Sequence, residues 1–231
     1  MRKILGSLPI IFIALGLAFA LGGYKNAMLL MTDKRLNINE ASVSDLNEEA
    51  IAEGNITFVY GPFAVLETTH KTYGITTSKD ETKYYIVGNF DMSTFSKYFE
   101  GEDIDMCYMV MSVADTKLQK ELDAAANKWV NFLTYTDEAD LPPQISIKVD
   151  GILAKQSTDL DYKQYYQDAK KDLSNVGITE SQFAEMMIRE GKVTPFETYG
   201  TFFGGIAMVV LGIVILIAAI VKSRKSNSMT W

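Results

Sequence analysis

The sequence predicts an α+β unit carried between two transmembrane helices, and three observations predict it. Two uncharged apolar runs lie near the ends, Ile4 to Gly23 and Thr201 to Val221. Between them, segments rich in β-branched and aromatic residues come first. A long segment with apolar residues at helical spacing follows, then an alternating strand and further helices. This order points to a mostly antiparallel sheet of five to six strands with packed helices, a small barrel-like closure being the alternative. The corresponding division is 1–3 as a cytoplasmic start, 4–23 as a first span, 24–199 as one acidic domain, 200–221 as a second span and 222–231 as a basic cytoplasmic tail.

The second span is the clearer of the two. Thr201 to Val221 is twenty-one residues without a charge, stopped by Lys222, Arg224 and Lys225. At about 1.5 Å of rise per residue it crosses a hydrocarbon core of about 30 Å. A soluble core helix of that length would carry a polar face, and here the one polar side chain is Thr201 at the edge.

The first run follows Arg2 and Lys3 and has two readings. Ala18-Phe19-Ala20 fits the small-x-small cleavage pattern of a signal peptide. As an uncleaved signal anchor the run is long enough to span, and its continuation through Leu21 past the cleavage point favours the anchor. Small residues recur every seven positions in both runs, as Pro9, Gly16 and Gly23 and as Gly205, Gly212 and Ala219. Lipid offers no hydrophobic drive for helix association, so small residues that let backbones approach predict a paired hairpin. The bland reading is that such residues are common in membrane helices. Basic residues on the outer flanks place both termini in the cytoplasm and the domain outside, against the pull of Lys25, Lys34 and Arg35 just past the first span.

Charge excludes one class of partner. Residues 24–199 hold all 29 acidic residues and 17 of the 22 basic ones, a net charge of −12. Nucleic acid phosphates and anionic lipid head groups are repelled by such a domain. Cys107 is the one cysteine, so no intramolecular disulfide can form. Lysine outnumbers arginine 18 to 4, a bias that goes with AT-rich bacterial genomes.

Within the domain, Ala27 to Met31 prolongs the first helix. Ser42 to Gly54 reads as a short helix with Ser44 as cap and Gly54 as its end. Ile56 to Tyr60, Ala64 to Thr69, Tyr73 to Thr77 and Lys83 to Val87 read as strands, with Ser78-Lys79-Asp80-Glu81 as a hairpin turn. Met106 to Val113 is a further strand. Asp115 caps a helix through Tyr135 whose apolar face is Leu118, Leu122, Ala125, Trp129, Phe132 and Leu133. Leu141-Pro142-Pro143 breaks the chain. Ile145, Ile147 and Val149 alternate as a half-buried strand that Gly151 ends or bends. Two helices are expected next, Leu160 to Val176 and Glu180 to Glu190, the latter from a capping box of Thr179 with Gln182 and from Gly191.

Chemistry is sparse. His70 is the one histidine, so a His/Cys zinc site is not available, and a surface or strand-packing role outweighs that of a general base beside a serine. Cys107, between Met106 and Tyr108, reads as an inert buried thiol. Glu100, Glu102, Asp103 and Asp105 crowd one loop without the twelve-residue calcium pattern, which favours a solvated acidic turn. Asp137-Glu138-Ala139-Asp140 matches a helicase string with no phosphate loop for it to serve. Ser93 and Ser96 beside Lys97 resemble a serine–lysine pair, but in a polar neighbourhood that would leave the lysine charged. Asn55-Ile56-Thr57 is a glycosylation triplet. Tyr162, Tyr165, Tyr166 and Leu173 form a stripe read as a packed face before an interface. No catalytic residue, cofactor ligand or metal ligand is assigned.

The basic start and first span, the phrase EGNITFVYGPFAVLETTHKTYGITTSKDETKYYIVGNF, and QISIKVDGIL before a Tyr-rich helix and a last span resemble a group of uncharacterised two-span membrane proteins of Gram-positive bacteria. The resemblance covers most of the chain, carries no catalytic signature and implies membrane location.

The expected function is a membrane-anchored non-enzymatic module, integral through two spans. Its extracytoplasmic domain binds a protein partner or serves as accessory subunit of an envelope complex. The alternatives are an envelope hydrolase using Ser96 and Lys97 or the acidic loop, and a sensor or transporter accessory.

Overall fold

The computed structural model describes residues 2–72, 75–89, 106–135 and 141–228. In chain order its elements are α1 (Arg2–Met31), β1 (Arg35–Asn37), β2 (Ile51–Ile56), β3 (Phe58–Thr72), β4 (Ile75–Gly88), β5 (Tyr108–Val113), α2 (Thr116–Tyr135), β6 (Ile147–Lys155), α3 (Leu160–Ser174), β7 (Phe183–Glu190) and α4 (Pro195–Ser228). Single 3₁₀ turns precede β2, at Val43–Asp45, and β7, at Glu180–Gln182. Two compact units result, Met1–Asp33 with Val193–Trp231, and Lys34–Lys192.

In the first unit α1 and α4 pack side by side and antiparallel. Both are long and apolar enough to cross a membrane, over Ser7–Met31 and Pro195–Lys222. Their contact brings backbone close to backbone at the glycines. A Cβ added to Gly205 would lie 2.5 Å from the Ala20 nitrogen and 2.7 Å from the Gly16 oxygen, and one added to Gly212 would lie 2.9 Å from the Pro9 oxygen. Glycine is required where two helix backbones come this close. The heptad spacing keeps Pro9, Gly16 and Gly23 on one seam and Gly205 and Gly212 on the other, all buried, whereas Ala219 is exposed. Tyr24 and Phe202 close the far end of the seam, ring centroids 6.1 Å apart.

The second unit is a seven-stranded mixed sheet in the order β1-β2-β6-β7-β5-β4-β3. β1 with β2 and β5 with β7 are parallel, while the other four pairings are antiparallel. The mostly antiparallel sheet of five to six strands is thus corrected to a mixed sheet of seven, and the barrel to an open sheet with β1 and β3 as edges. All six residues of β5 are buried, as a central strand covered on both faces requires. Met109, Met111 and Val113 join Val59, Tyr85, Val87, Leu122 and Ala125 in one cluster. Tyr108 and Val110 join Phe58, Trp129, Tyr162, Tyr166, Leu173, Phe183 and Met187 in the other. The alternation of β5 between them puts the clusters on opposite faces.

α2 forms as its spacing dictates. Asp115 Oδ1 accepts the Leu118 N–H at 2.7 Å, and Leu122, Ala125, Ala126 and Trp129 are buried. Leu133, placed on the apolar face by periodicity, is 37% exposed, and Ala126 takes the inward position. Polar side chains fix this helix as well. Gln119 Nε2 donates to the carbonyls of Glu81 and Val113, both at 3.0 Å, and Trp129 Nε1 donates to the Thr57 carbonyl at 2.8 Å. Tyr85 OH donates to Asp123 Oδ1 at 2.7 Å while Lys83 Nζ holds Oδ2 at 2.8 Å.

Several expected elements are replaced. Ser42 to Gly54 contains one 3₁₀ turn and then β2, and the residue closing the turn is Ser42, whose N–H and hydroxyl both donate to Asp45 Oδ2, not Ser44. The hairpin turn expected at Ser78–Glu81 is strand. The ladder runs from His70 opposite Ser78 to Thr72 opposite Ile75. The helix expected over Glu180 to Glu190 is one 3₁₀ turn followed by β7, although Gln182 Oε1 does accept the Thr179 N–H at 2.8 Å as the box predicts. Gly151 lies inside β6 and does not end it. A Cβ there would meet the Arg189 oxygen at 2.6 Å, so glycine permits the close passage of β7.

The backbone seam of the helix pair has a direct test. With Cys107→Ser as background, Tyr24→Cys and Phe202→Cys should be joined by a short bismaleimide. Adding Gly205→Leu should remove most of that product, and an unchanged yield would refute the seam.

Candidate functional site

α3 organises the hollows of the second unit. Asp159 Oδ1 accepts the Tyr162 N–H at 3.1 Å and starts the helix. Gly177, at φ +90°, ends it, with Ile178 N–H returned to the Leu173 carbonyl at 3.2 Å. Tyr162, Tyr166, Ala169 and Leu173 face the sheet. There Phe63 meets Tyr162 and Tyr166 at centroid distances of 5.7 and 5.6 Å, and Tyr84 meets Tyr162 at 5.1 Å. The Tyr-rich stripe is therefore core at two of its tyrosines. Tyr165 is 52% exposed and lies outside that face.

One flank of α3 borders a groove of about 800 Å³. Leu46, Tyr166, Phe183 and Met186 form an apolar floor, and Lys155, Lys163, Glu180 and Glu185 are charged members of its lining. The groove exists because β6 leaves the sheet after Lys155 pairs with Met186. Beyond that point Gln156 Nε2 takes the Ala184 carbonyl at 3.0 Å, so a side chain replaces the missing strand. Lys170 braces the wall. Its Nζ lies 2.9 Å from Glu180 Oε1, 5.1 Å from the Tyr166 ring centre and 5.9 Å from that of Phe183. The hydrogen bond from Lys170 holds the Glu180 carboxyl below the usual carboxylate range.

The other flank borders a smaller cleft of about 300 Å³, lined by Tyr60, Phe63, Val130, Tyr165, Asp168 and Asp172 with Gly61 and Pro62. Tyr60 OH donates to Asp172 Oδ2 at 3.0 Å. Burial first, and then this bond to a carboxylate, push the Tyr60 phenol up to about 12. Burial likewise raises Tyr85, with Asp123 adding to it, and Tyr162.

The residues singled out by sequence are scattered. His70 is on the exposed β3–β4 hairpin, its Nε2 2.8 Å from Asp80 Oδ2, with both side chains more than half exposed. Ser78 stands opposite it in register. Cys107 is buried just before β5. Asn55 is exposed in β2, its backbone bonded both ways to the Asn39 side chain. Ser93, Ser96, Lys97, Glu100, Glu102, Asp103, Asp105 and the 137–140 string lie outside the described residues. Among the described residues no three His, Cys, Asp or Glu side chains converge as metal ligands do. Sequence reading missed both hollows. Their walls come from segments far apart in the chain, and no local pattern in the sequence marks them.

An α+β unit carried in sequence between two helices that can cross a membrane defines the class of the protein, and two such helices fit an integral membrane protein. The chain belongs to the family described as "Domain of unknown function (DUF8577)", whose model matches residues 1–220. Comparison with curated proteins gave no match.

The raised tyrosines make stability fall at alkaline pH. Tyr60 ionises at 10.0 in the unfolded chain and at about 12 in the folded one, so its contribution is complete below pH 10 and is lost as pH rises through 10 toward 12. In an absorbance titration, Tyr60→Phe should delete one late phenolate step. It should also lower stability at neutral pH by ~1 kcal/mol, the typical worth of one hydrogen bond. An unchanged late step would show that Tyr60 is not buried against Asp172.

Proposed function

We propose that the chain is a membrane-anchored, non-enzymatic module of a bacterial cell envelope of the Gram-positive kind, with both termini cytoplasmic and the acidic unit outside. Its work is to bind a protein partner or to serve as accessory subunit of a membrane complex. The observation that carries this reading is the groove beside α3. An apolar floor edged by two lysines and two glutamates suits an extended protein segment, since interfaces combine a desolvated apolar centre with a polar rim. The outside placement is supported by Arg2 and Lys3 at the start of one helix and Lys222, Arg224 and Lys225 at the end of the other.

Location and binding have separate tests. Ser78→Cys in a Cys107→Ser background should react with a membrane-impermeant maleimide on intact cells. Reaction only after lysis would put the unit in the cytoplasm. A photoreactive residue at Gln167, on the groove wall, should form one discrete crosslinked product in cells, and Lys163→Glu with Glu185→Lys should abolish it at unchanged protein level. A product unaffected by the charge exchange would rule out the groove as the binding surface.

A further inference from the structure

We propose that the free edge of β3 pairs with the same edge of a second copy of this chain, antiparallel about a two-fold axis at Thr68, so that two hairpins join as one four-stranded ribbon. The inference goes beyond the groove reading and uses none of its residues.

The outer half of the β3–β4 hairpin stands clear of the sheet. β5 pairs with β4 only from Lys83 to Gly88, whereas the hairpin ladder runs on from Leu66 opposite Thr82 to Thr72 opposite Ile75. That stretch is a two-stranded ribbon, and such a ribbon by itself is marginally stable in water. Val65 and Leu66 are 50% and 53% exposed, and Glu67, Thr68, Thr69 and His70 are exposed with them. Among the described residues no strand lies beyond β3.

Two hydrogen bonds fix the direction of the open backbone groups. The Gly88 carbonyl accepts the Thr57 N–H at 3.1 Å, toward β3, and the Glu81 carbonyl accepts Gln119 Nε2 at 3.0 Å, on the side of β5. Even-numbered residues of β4 therefore turn their N–H and C=O groups to β3, and odd-numbered ones turn theirs away. Thr82, Asp80 and Ser78 lie opposite Leu66, Thr68 and His70. Those three residues bond to β4, which leaves Val65, Glu67 and Thr69 with N–H and C=O groups directed outward, a template for a further strand.

Three features select a second copy as that strand. The first is charge. Residues 64–82 hold two lysines and three acids, a net charge of −1, in a domain of −12. Lys79 Nζ lies 3.8 Å from Glu67 Oε2 and His70 Nε2 lies 2.8 Å from Asp80 Oδ2, so both acids are met from the opposite strand of the ribbon. Acidic copies meet there with least repulsion. The second is register. Beyond the irregularity that follows Tyr60, the ladder of β3 runs from Ala64 to Thr72, and Thr68 is its middle. A two-fold axis at Thr68 pairs that whole run and puts Glu67 opposite Thr69 of the other copy. An axis at Glu67 would set two carboxylates face to face, which is destabilising. The third is closure. Antiparallel pairing about a two-fold axis occupies the β3 edge of both copies and stops at the dimer.

The test uses the full chain in maltoside micelles, in a Cys107→Ser background, with Leu66→Cys, Thr68→Cys and His70→Cys made singly and oxidised by copper phenanthroline. Thr68→Cys should give a disulfide-linked dimer. Across the new pairing Thr68 faces its copy in a non-hydrogen-bonded pair, with Cα atoms about 4.5 Å apart, within disulfide range. Each position away from the axis adds about 7 Å between a residue and its copy, so Leu66→Cys and His70→Cys should each yield at most about a tenth as much. Val65→Pro removes an outward donor and leaves the β3–β4 ladder in place. Added to Thr68→Cys it should cut the dimer about 10-fold, and it should speed hydrogen exchange over residues 64–72. The late phenolate step of Tyr60 should persist in this variant, which shows that the fold is kept. Equal products at the three positions, no product at Thr68→Cys, or an unchanged yield with Val65→Pro would each overturn the proposal.

Discussion

The contact on which the first unit depends is backbone against backbone. In hydrocarbon every N–H and C=O must be satisfied within its own segment, which makes each apolar run a helix. Two such helices gain nothing from hiding apolar surface that lipid covers equally well, so their association rests on how closely they approach. Gly16, Gly205 and Gly212 set that approach, for an added Cβ at each would come within 3 Å of the opposite helix. The seven-residue period then keeps the same faces together along the whole seam.

In the second unit the ordering constraint is the central strand β5, buried along its whole length. A strand covered on both faces needs a helical layer on each. α2 supplies one through Leu122 and Ala125, and α3 supplies the other through Tyr162, Tyr166 and Leu173. α3 is short and its sheet-facing side is crowded with rings. Its two flanks are left as the walls of hollows, one lined by lysines and glutamates and one by aspartates and aromatic rings. The functional reading follows from that division. The larger of the two, with its apolar floor and charged rim, is the surface on which the proposed binding role rests.

Local signals made part of this legible. The charge-free run from Thr201, the Asp115 cap with its helical stripe, and the alternation at Ile147 and Val149 all name elements that formed, because each depends on neighbours within a few residues. The failures share a cause. FAEMMIRE is composed of good helix formers behind a capping box, yet it is a strand, because β5 and β6 offer it pairing on both sides and bury five of its eight residues. Propensities of a few tenths of a kcal/mol per residue yield to such burial. Ser42 to Gly54 failed in the same way once β6 was available to β2. The two parallel pairings and the two hollows depend on segments that meet only in the folded chain. Tyr165 looked like its neighbours in the stripe, and only the direction of α3 separates it from the core.

Residence of both apolar helices in a bilayer, holding the chain there, is the property on which the proposed role depends. Its most direct test is alkaline carbonate extraction of membranes from cells expressing the full chain, followed by flotation of the pellet in a density gradient. The expected result is a chain that stays with the pellet and floats with lipid. Release into the alkaline supernatant, or sedimentation free of lipid, would contradict the claim and return the paired helices to the status of a soluble hairpin.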